Sequence, residues 1–260
     1  MFDGHRAVYL RERSDLPLPI RDRTARAGRG LAWLAPALLA LTGMAAILMA
    51  PGAAWTAPVV AMGATVAGLS LAARGLGAGH PHTRLGSANA VTALRGALVA
   101  ALAAAVLHGA VEPGATLFTL AALAVLVLDG VDGALARAEG LASAFGARFD
   151  MEVDSVLAAS LAVAIAVAVP QTLPGLAALT LLGGARYAFA GASLALPWLD
   201  DPLPPRWSRK AVCVAQIATL IGVLVLHPVL PMIDALLVPV AALVLWSFGR
   251  DVIALRRLRP

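Results

Sequence analysis

Four aspartates, Asp129, Asp132, Asp150 and Asp154, fall within one stretch, DGVDGALARAEGLASAFGARFDMEVD, at spacings of three, eighteen and four. Residues three or four apart share a helix face, so the first pair converges from one helix and the second pair from the next. Long apolar runs flank the stretch. The carboxylates therefore lie at or inside a membrane boundary. An ionised group there costs about 2.5–3.5 kcal/mol on insertion scales and marks a functional site by default. Four carboxylates held this close repel one another unless cations sit between them. The simplest such cation is Mg²⁺ (or Mn²⁺), a hard ion that prefers oxygen ligands.

The residues between the aspartates extend this chemistry. Gly133 lies one helical turn past Asp129, where a missing side chain lets a ligand approach the backbone. Arg137 follows one turn later, and its forked donors suit a phosphate oxygen. Gly146 stands four residues before Asp150, at the start of the facing helix. Two glycines facing each other leave room for a flat or bulky group. Two metals about 3.5–4 Å apart would hold a diphosphate and stabilise both attacking and leaving oxygens.

These residues must be positioned by membrane-spanning elements. Of 260 residues, 60% are hydrophobic and 13% charged, where a soluble domain carries about 25% charged residues. A span needs about 20 apolar residues. Such runs occupy 31–50, 54–74, 88–108, 114–136, 148–169, 173–194, 210–227 and 230–249. The expected fold is an all-α, polytopic transmembrane bundle of eight helices. Breaks at Pro51-Gly52, Glu112-Pro113-Gly114, Pro170 and Pro228/Pro231 separate consecutive pairs. The runs lack the alternation that a membrane barrel requires. Roughly thirty mostly polar residues precede the first run, so no secretory signal is expected.

Lys and Arg collect in alternate connections. Residues 1–30, Arg84, Arg137, Arg148, Arg206, Arg209, Lys210 and the tail with Arg250, Arg256, Arg257 and Arg259 fall on one side; the opposite loops contain neither residue type. This bias places both termini and the aspartate stretch in the cytoplasm, with a bacterial inner membrane as the expected location. Residues 1–30 read as a polar cytoplasmic lead with a short helix on the membrane surface. The link LPWLDDPLPPRWSRK carries Trp198 and Trp207 at headgroup level and reads as an interfacial loop or short helix. The net charge of +5 orients the chain rather than binding nucleic acid, since no basic patch is interleaved with aromatics. The single cysteine, Cys213, excludes an intrachain disulfide and reads as a small core residue.

The aspartate stretch resembles the signature of the CDP-alcohol phosphotransferase family, D-x2-D-G-x2-A-R-x8-G-x3-D-x3-D. Asp129, Asp132, Gly133, Ala136, Arg137, Gly146, Asp150 and Asp154 occupy its fixed positions at its spacings. The resemblance covers about residues 85–250, which supply the six helices of the family's catalytic core. Outside it, hydropathy and charge give 1–30 as a polar lead, 31–84 as two accessory helices with their link, and 251–260 as a basic tail. The resemblance implies an enzyme of phospholipid synthesis. A phosphatidyl group would move from CDP-diacylglycerol, or a related CDP-alcohol, to the hydroxyl of a small alcohol, with CMP leaving. It implies two divalent metals on Asp129, Asp132 and Asp150, with Asp154 as general base and additional metal contact. It implies cytidine at the Gly133, Ala136, Arg137 and Gly146 positions, and it implies a homodimer. Asn89, Thr92 and Arg95 form N-x2-T-x2-R on one face at the start of the third run. They resemble the family's first core helix, whose polar face helps bind the nucleotide.

The acceptor is less constrained. Arg186 lies well inside the sixth run, and a buried arginine there needs a partner, either an acceptor phosphate or a carboxylate of the cluster. Arg209 and Lys210 match a position where the phosphatidylglycerol-phosphate branch of the family carries lysines. With Arg148 they form a basic pocket for an anionic acceptor, or else anchor the chain. Glycerol phosphate, inositol phosphate, serine and phosphatidylglycerol are the acceptor candidates. His80, His82, His108 and His227 show no ligand spacing and receive no role. Gln216 sits two turns into the seventh run and faces the site only weakly. Two rivals are set aside on the placement of the acids. An intramembrane prenyltransferase carries its aspartate motifs on separated helix pairs, and a divalent-cation transporter spreads acids across the membrane depth.

Overall fold

The computed structural model describes residues 20–110, 116–201, 206–226 and 233–257. Eight long helices follow one another: α1 Ile20–Met49, α2 Thr56–Gly79, α3 Ser87–Leu107, α4 Thr116–Glu139, α5 Ala144–Ala168, α6 Leu173–Ala195, α7 Trp207–Leu226 and α8 Asp234–Arg257. One-turn 3₁₀ helices at Pro51–Ala53 and Pro197–Asp200 complete the described elements. No strand occurs among the described residues. The all-helical membrane bundle expected from hydropathy is the fold observed. Seven of the helices are long and apolar enough to cross a membrane. The other, α6, has its apolar stretch diluted by Arg186, Tyr187 and paired glycines. The protein is an integral membrane protein.

The interior is built for close approach. α3 buries Ala93, Ala97, Ala100, Ala101, Ala104 and Ala105, small residues that let neighbouring backbones come near where lipid removes any hydrophobic drive between helices. Gly183 of α6 does the same against α5, with a Cβ there lying 3.0 Å from the Ala162 Cβ. The main core joins α3, α5, α7 and α8 through Leu102, Leu157, Leu161, Leu220 and Leu237. A second cluster brings Leu31, Leu38, Ala72 and Leu76 of α1 and α2 against Ala93, Ala97 and Phe145.

Several boundaries differ from the sequence expectation. α1 begins at Ile20 rather than near 31. The arginine-rich segment before the apolar run is a poor membrane span but a good helix former, so hydropathy ends there while the helix does not. Ala27 is buried on that extension. The link between the aspartate helices is shorter than 137–148, because Ala138 and Glu139 stay helical and Ser143 starts the next helix. α8 runs from Asp234 to Arg257, so much of the expected basic tail is helical. The expectations for residues 1–19, the break at Glu112-Pro113-Gly114, part of the tryptophan-bearing link (202–205), His227 with Pro228 and Pro231, and Arg259 lie outside the described residues.

Candidate active site

α4 and α5 are joined by residues 140–143, with Gly140 at φ +64° in the turn, and α3 packs against both. α4 supplies Asp129 and Asp132, both buried, and α5 supplies the partly buried Asp150 and Asp154. One carboxylate oxygen from each of Asp129, Asp132 and Asp150 lies within 4.8 Å of the others.

α3 fills the centre. Arg95 has no exposed surface, and its guanidinium touches all four carboxylates. Nη1 reaches Asp132 Oδ2 at 2.6 Å and also contacts Asp150; Nη2 lies 3.2 Å from Asp129 Oδ1 and contacts Asp154. Nε donates to the Val125 carbonyl at 3.2 Å. The Thr92 hydroxyl lies 3.1 Å from Asp132 Oδ2. Arg95 thus spends its donors on the four carboxylates and the Val125 carbonyl. Its three-residue spacing from Thr92 puts it on the face that packs against the carboxylates, which enclose its donors. Asn89, on the same face, donates Nδ2–H to the Leu85 carbonyl at 2.5 Å and turns Oδ1 toward Gly146.

The two motif glycines are walled differently. A Cβ on Gly146 would lie 2.9 Å from Asn89 Oδ1 and 3.4 Å from Ser143 Oγ. A Cβ on Gly133 would lie 3.4 Å from Lys210 Nζ and 3.5 Å from Arg137 Nη1. Lys210, at the start of α7, also lies 3.5 Å from Asp129 Oδ2. Two cations therefore converge on the Gly133 face beside the carboxylates. Asp154 is held by Arg95 on one oxygen and by the Cys213 thiol, 3.6 Å from its Oδ2.

Two other expected acceptor residues, Arg186 and Arg209, form ion pairs outside the carboxylate cluster. Arg186 is 28% exposed and pairs with Glu152 at 2.6 Å, joining α6 to α5 rather than touching the cluster. An arginine this close to the helix flank finds a carboxylate one helix away without entering the interior. Arg209 and Arg206 approach the buried Asp251 of α8 at 3.2 and 3.7 Å. Arg148 is exposed near the start of α5, and Ala136 is half-buried on α4. Gln216 donates to the Leu182 carbonyl at 2.6 Å, tying α7 to α6.

A model of the CDP-alcohol phosphatidyltransferase family matches residues 85–250. The chain belongs to that family. No curated protein and no solved structure matches it. Members of the CDP-alcohol phosphatidyltransferase family transfer a phosphatidyl group from a CDP-alcohol to an alcohol in phospholipid synthesis, and they use divalent metals. The donor set here suits such an ion. It consists of carboxylate oxygens, and the buried Asp129 Oδ1 receives no hydrogen bond, its contact with Arg95 Nη2 at 3.2 Å being an ion pair alone. Fully ionised, the four carboxylates outnumber the contacting cations Arg95 and Lys210 by two, which leaves a demand for further positive charge.

Two supports of this family site carry no motif. Glu139, at the end of α4, accepts from the Ser87 backbone N–H at 3.0 Å and from the Ser87 hydroxyl, capping α3. Gly86, at φ +82°, lets the chain turn under that carboxylate. Ser143 caps α5 by accepting from the Gly146 N–H at 3.1 Å, and His80 lies 3.1 Å from the same hydroxyl. Only Ser143 had a local sequence signal, a serine three residues before a helical glycine.

Proposed function

We propose that this enzyme moves a phosphatidyl group from CDP-diacylglycerol to the hydroxyl of a phosphorylated polyol, releasing CMP. The observation that carries the reading is the meeting of both aspartate pairs at one point, beside the Gly133 face where Lys210 and Arg137 converge. A lipid donor reaches such a site sideways between helices, with its cytidine toward the polar end of the hairpin.

Asp129, Asp132 and Asp150 would hold two Mg²⁺ or Mn²⁺ ions, with Asp154 touching the second. When bound, the metals supply charge stabilisation for the diphosphate and for the attacking and leaving oxygens. The chain's own residues do the rest. Gly146 and Asn89 shape the space for the cytosine, with Gly133 and Ala136 along the α4 wall. Arg137 binds a diphosphate oxygen through its forked donors. Asp154 accepts the proton of the acceptor hydroxyl, whose oxygen attacks the lipid-side phosphorus. The bond from that phosphorus to the CMP oxygen breaks, and its electron pair leaves with CMP. Thr92 and Arg95 act through the aspartates, fixing their orientation. Lys210 and Arg148 attract the acceptor's phosphate. Arg186 and Arg209 belong to ion pairs and contribute through helix packing.

The test is CMP release in detergent from radiolabelled CDP-diacylglycerol, Mg²⁺ and a panel of alcohols. We expect release with a polyol phosphate and a loss of about 10²–10⁴-fold in Asp154→Asn, the range of a lost general base. Undiminished release by that variant, or none from the wild type with any alcohol, would sink the reading.

A further inference from the structure

His80 lies outside the segment matched by the family, yet it is built into the aspartate hairpin. It follows α2 directly, is buried, and makes two ring hydrogen bonds. Nε2 lies 2.7 Å from the Arg84 carbonyl oxygen, and Nδ1 lies 3.1 Å from Ser143 Oγ. A carbonyl only accepts, so Nε2 carries the proton and Nδ1 of the neutral ring accepts from the serine hydroxyl. The Ser143 oxygen in turn accepts from the Gly146 N–H. The chain Gly146 N–H to Ser143 O–H to His80 to Arg84 carbonyl is complete, with every donor and acceptor used once.

The surroundings fix this arrangement. The His80 ring sits edge-on to Phe145, centroids 5.7 Å apart, and Phe145 stacks on Phe149. Phe145 also closes against α2, where a Cβ on Gly75 would lie 3.3 Å from its ring. His82 reaches the Ala142 carbonyl at 3.4 Å. The connection leaving α2 is therefore laid along the turn that starts α5.

We propose that His80 is a positioning residue for the transferase site. It orients the Ser143 hydroxyl, so that the cap holds the start of α5, from which Gly146 and, one turn later, Asp150 enter the site. The two accessory helices thereby become part of the catalytic apparatus, delivering one acceptor atom to the hairpin. The catalytic consequence rests on the transferase reading above; the capping chain itself does not.

The experiment compares His80→Leu, His80→Asn, Ser143→Ala and the Leu/Ala double variant as full-length protein in detergent. His80→Leu keeps bulk without an acceptor; His80→Asn keeps an acceptor near the Nδ1 position. Hydrogen exchange over 143–150 and Mn²⁺ binding followed by electron paramagnetic resonance are read first, since neither needs turnover. CMP release is read third, for the donor KM against kcat. His80→Leu and Ser143→Ala should each speed exchange at 144–147 and weaken Mn²⁺ binding by roughly three- to tenfold, the size of a lost N-cap contact. The double variant should be no worse than either single, because both break one chain. His80→Asn should retain wild-type exchange protection. Wild-type behaviour of His80→Leu would reduce His80 to packing and overturn the proposal, as would losses that multiply in the double variant. Should His80→Leu not fold, His80→Asn decides: exchange as fast as in Ser143→Ala overturns the proposal, and retained protection supports it. Absence of CMP release from the wild type would instead overturn the transferase reading, with exchange and Mn²⁺ binding still scoring His80.

Discussion

A guanidinium enclosed by four carboxylates is stabilised by them and holds them together, so removing it leaves like charges facing one another in a low-dielectric interior. Arg95 occupies that position with no exposed surface. Arg95→Met should lower the melting temperature by on the order of 10 °C, from a loss of about 3–5 kcal/mol for a broken buried ion cluster. Millimolar Mg²⁺ should restore more of that loss than it adds to the wild type, because the ion replaces the missing charge. Thermal unfolding in detergent with and without Mg²⁺ reads both, and an unchanged midpoint would refute the counter-ion role. Gly146 makes a second residue-scale case. Its added Cβ would lie 2.9 Å from Asn89 Oδ1, and Asn89 is anchored by its 2.5 Å bond to the Leu85 carbonyl. Gly146→Ala should therefore raise the donor KM about tenfold, from a displacement costing on the order of 1 kcal/mol. Binding of CDP-diacylglycerol at wild-type strength would show that the glycine is not needed for space.

Glutamate at a helix C-terminus is unfavourable for its own helix, since the dipole there is negative. Glu139 sits at the end of α4 but delivers its carboxylate to the N-terminus of α3, where N–H groups lack partners. Glu139→Ala should cost about 1 kcal/mol and speed amide exchange at 87–90, while Glu139→Gln, which keeps an acceptor, should lose less. Equal exchange in all three proteins would deny the cap. Contacts of this kind explain what could be read from the sequence. The two aspartate pairs were legible because helical period and apolar flanks are local properties. The eight helices were legible for the same reason, although α1 overran its apolar stretch because arginine and alanine continue a helix that hydropathy ends. The Arg95 cluster was half legible: spacing put the residue on a face, but not which neighbour that face meets. The Glu139–Ser87 and His80–Ser143 contacts span 52 and 63 residues. No periodicity or short motif encodes such a pairing, which is set by how whole helices pack.

At the scale of the molecule, if each long helix crosses the membrane once, the connections alternate in sequence between two sides, with 50–55, 108–115, 169–172 and 227–233 expected on one and 80–86, 140–143 and 196–206 on the other. The first set contains no Lys or Arg, whereas Arg84 and Arg206 lie in the second, with Arg148, Arg209 and Lys210 just beyond it. Positive charge is retained on the cytoplasmic side during insertion, so the aspartate hairpin should open there. The same placement suits the proposed chemistry, in which a water-soluble acceptor phosphate and the departing CMP would both need an aqueous face. Cys213 is the single cysteine, which makes a labelling test direct. In a Cys213→Ala background, Arg148→Cys and Trp55→Cys place one thiol on each side, at two exposed positions. In sealed right-side-out vesicles, a membrane-impermeant maleimide should modify Trp55→Cys and spare Arg148→Cys, and inverted vesicles should reverse the pattern. Labelling of Arg148→Cys from outside would place the site on the wrong face for its substrates. The charge asymmetry would then have to be explained by anchoring to lipid headgroups, and the acceptor would have to be sought outside the cytoplasm.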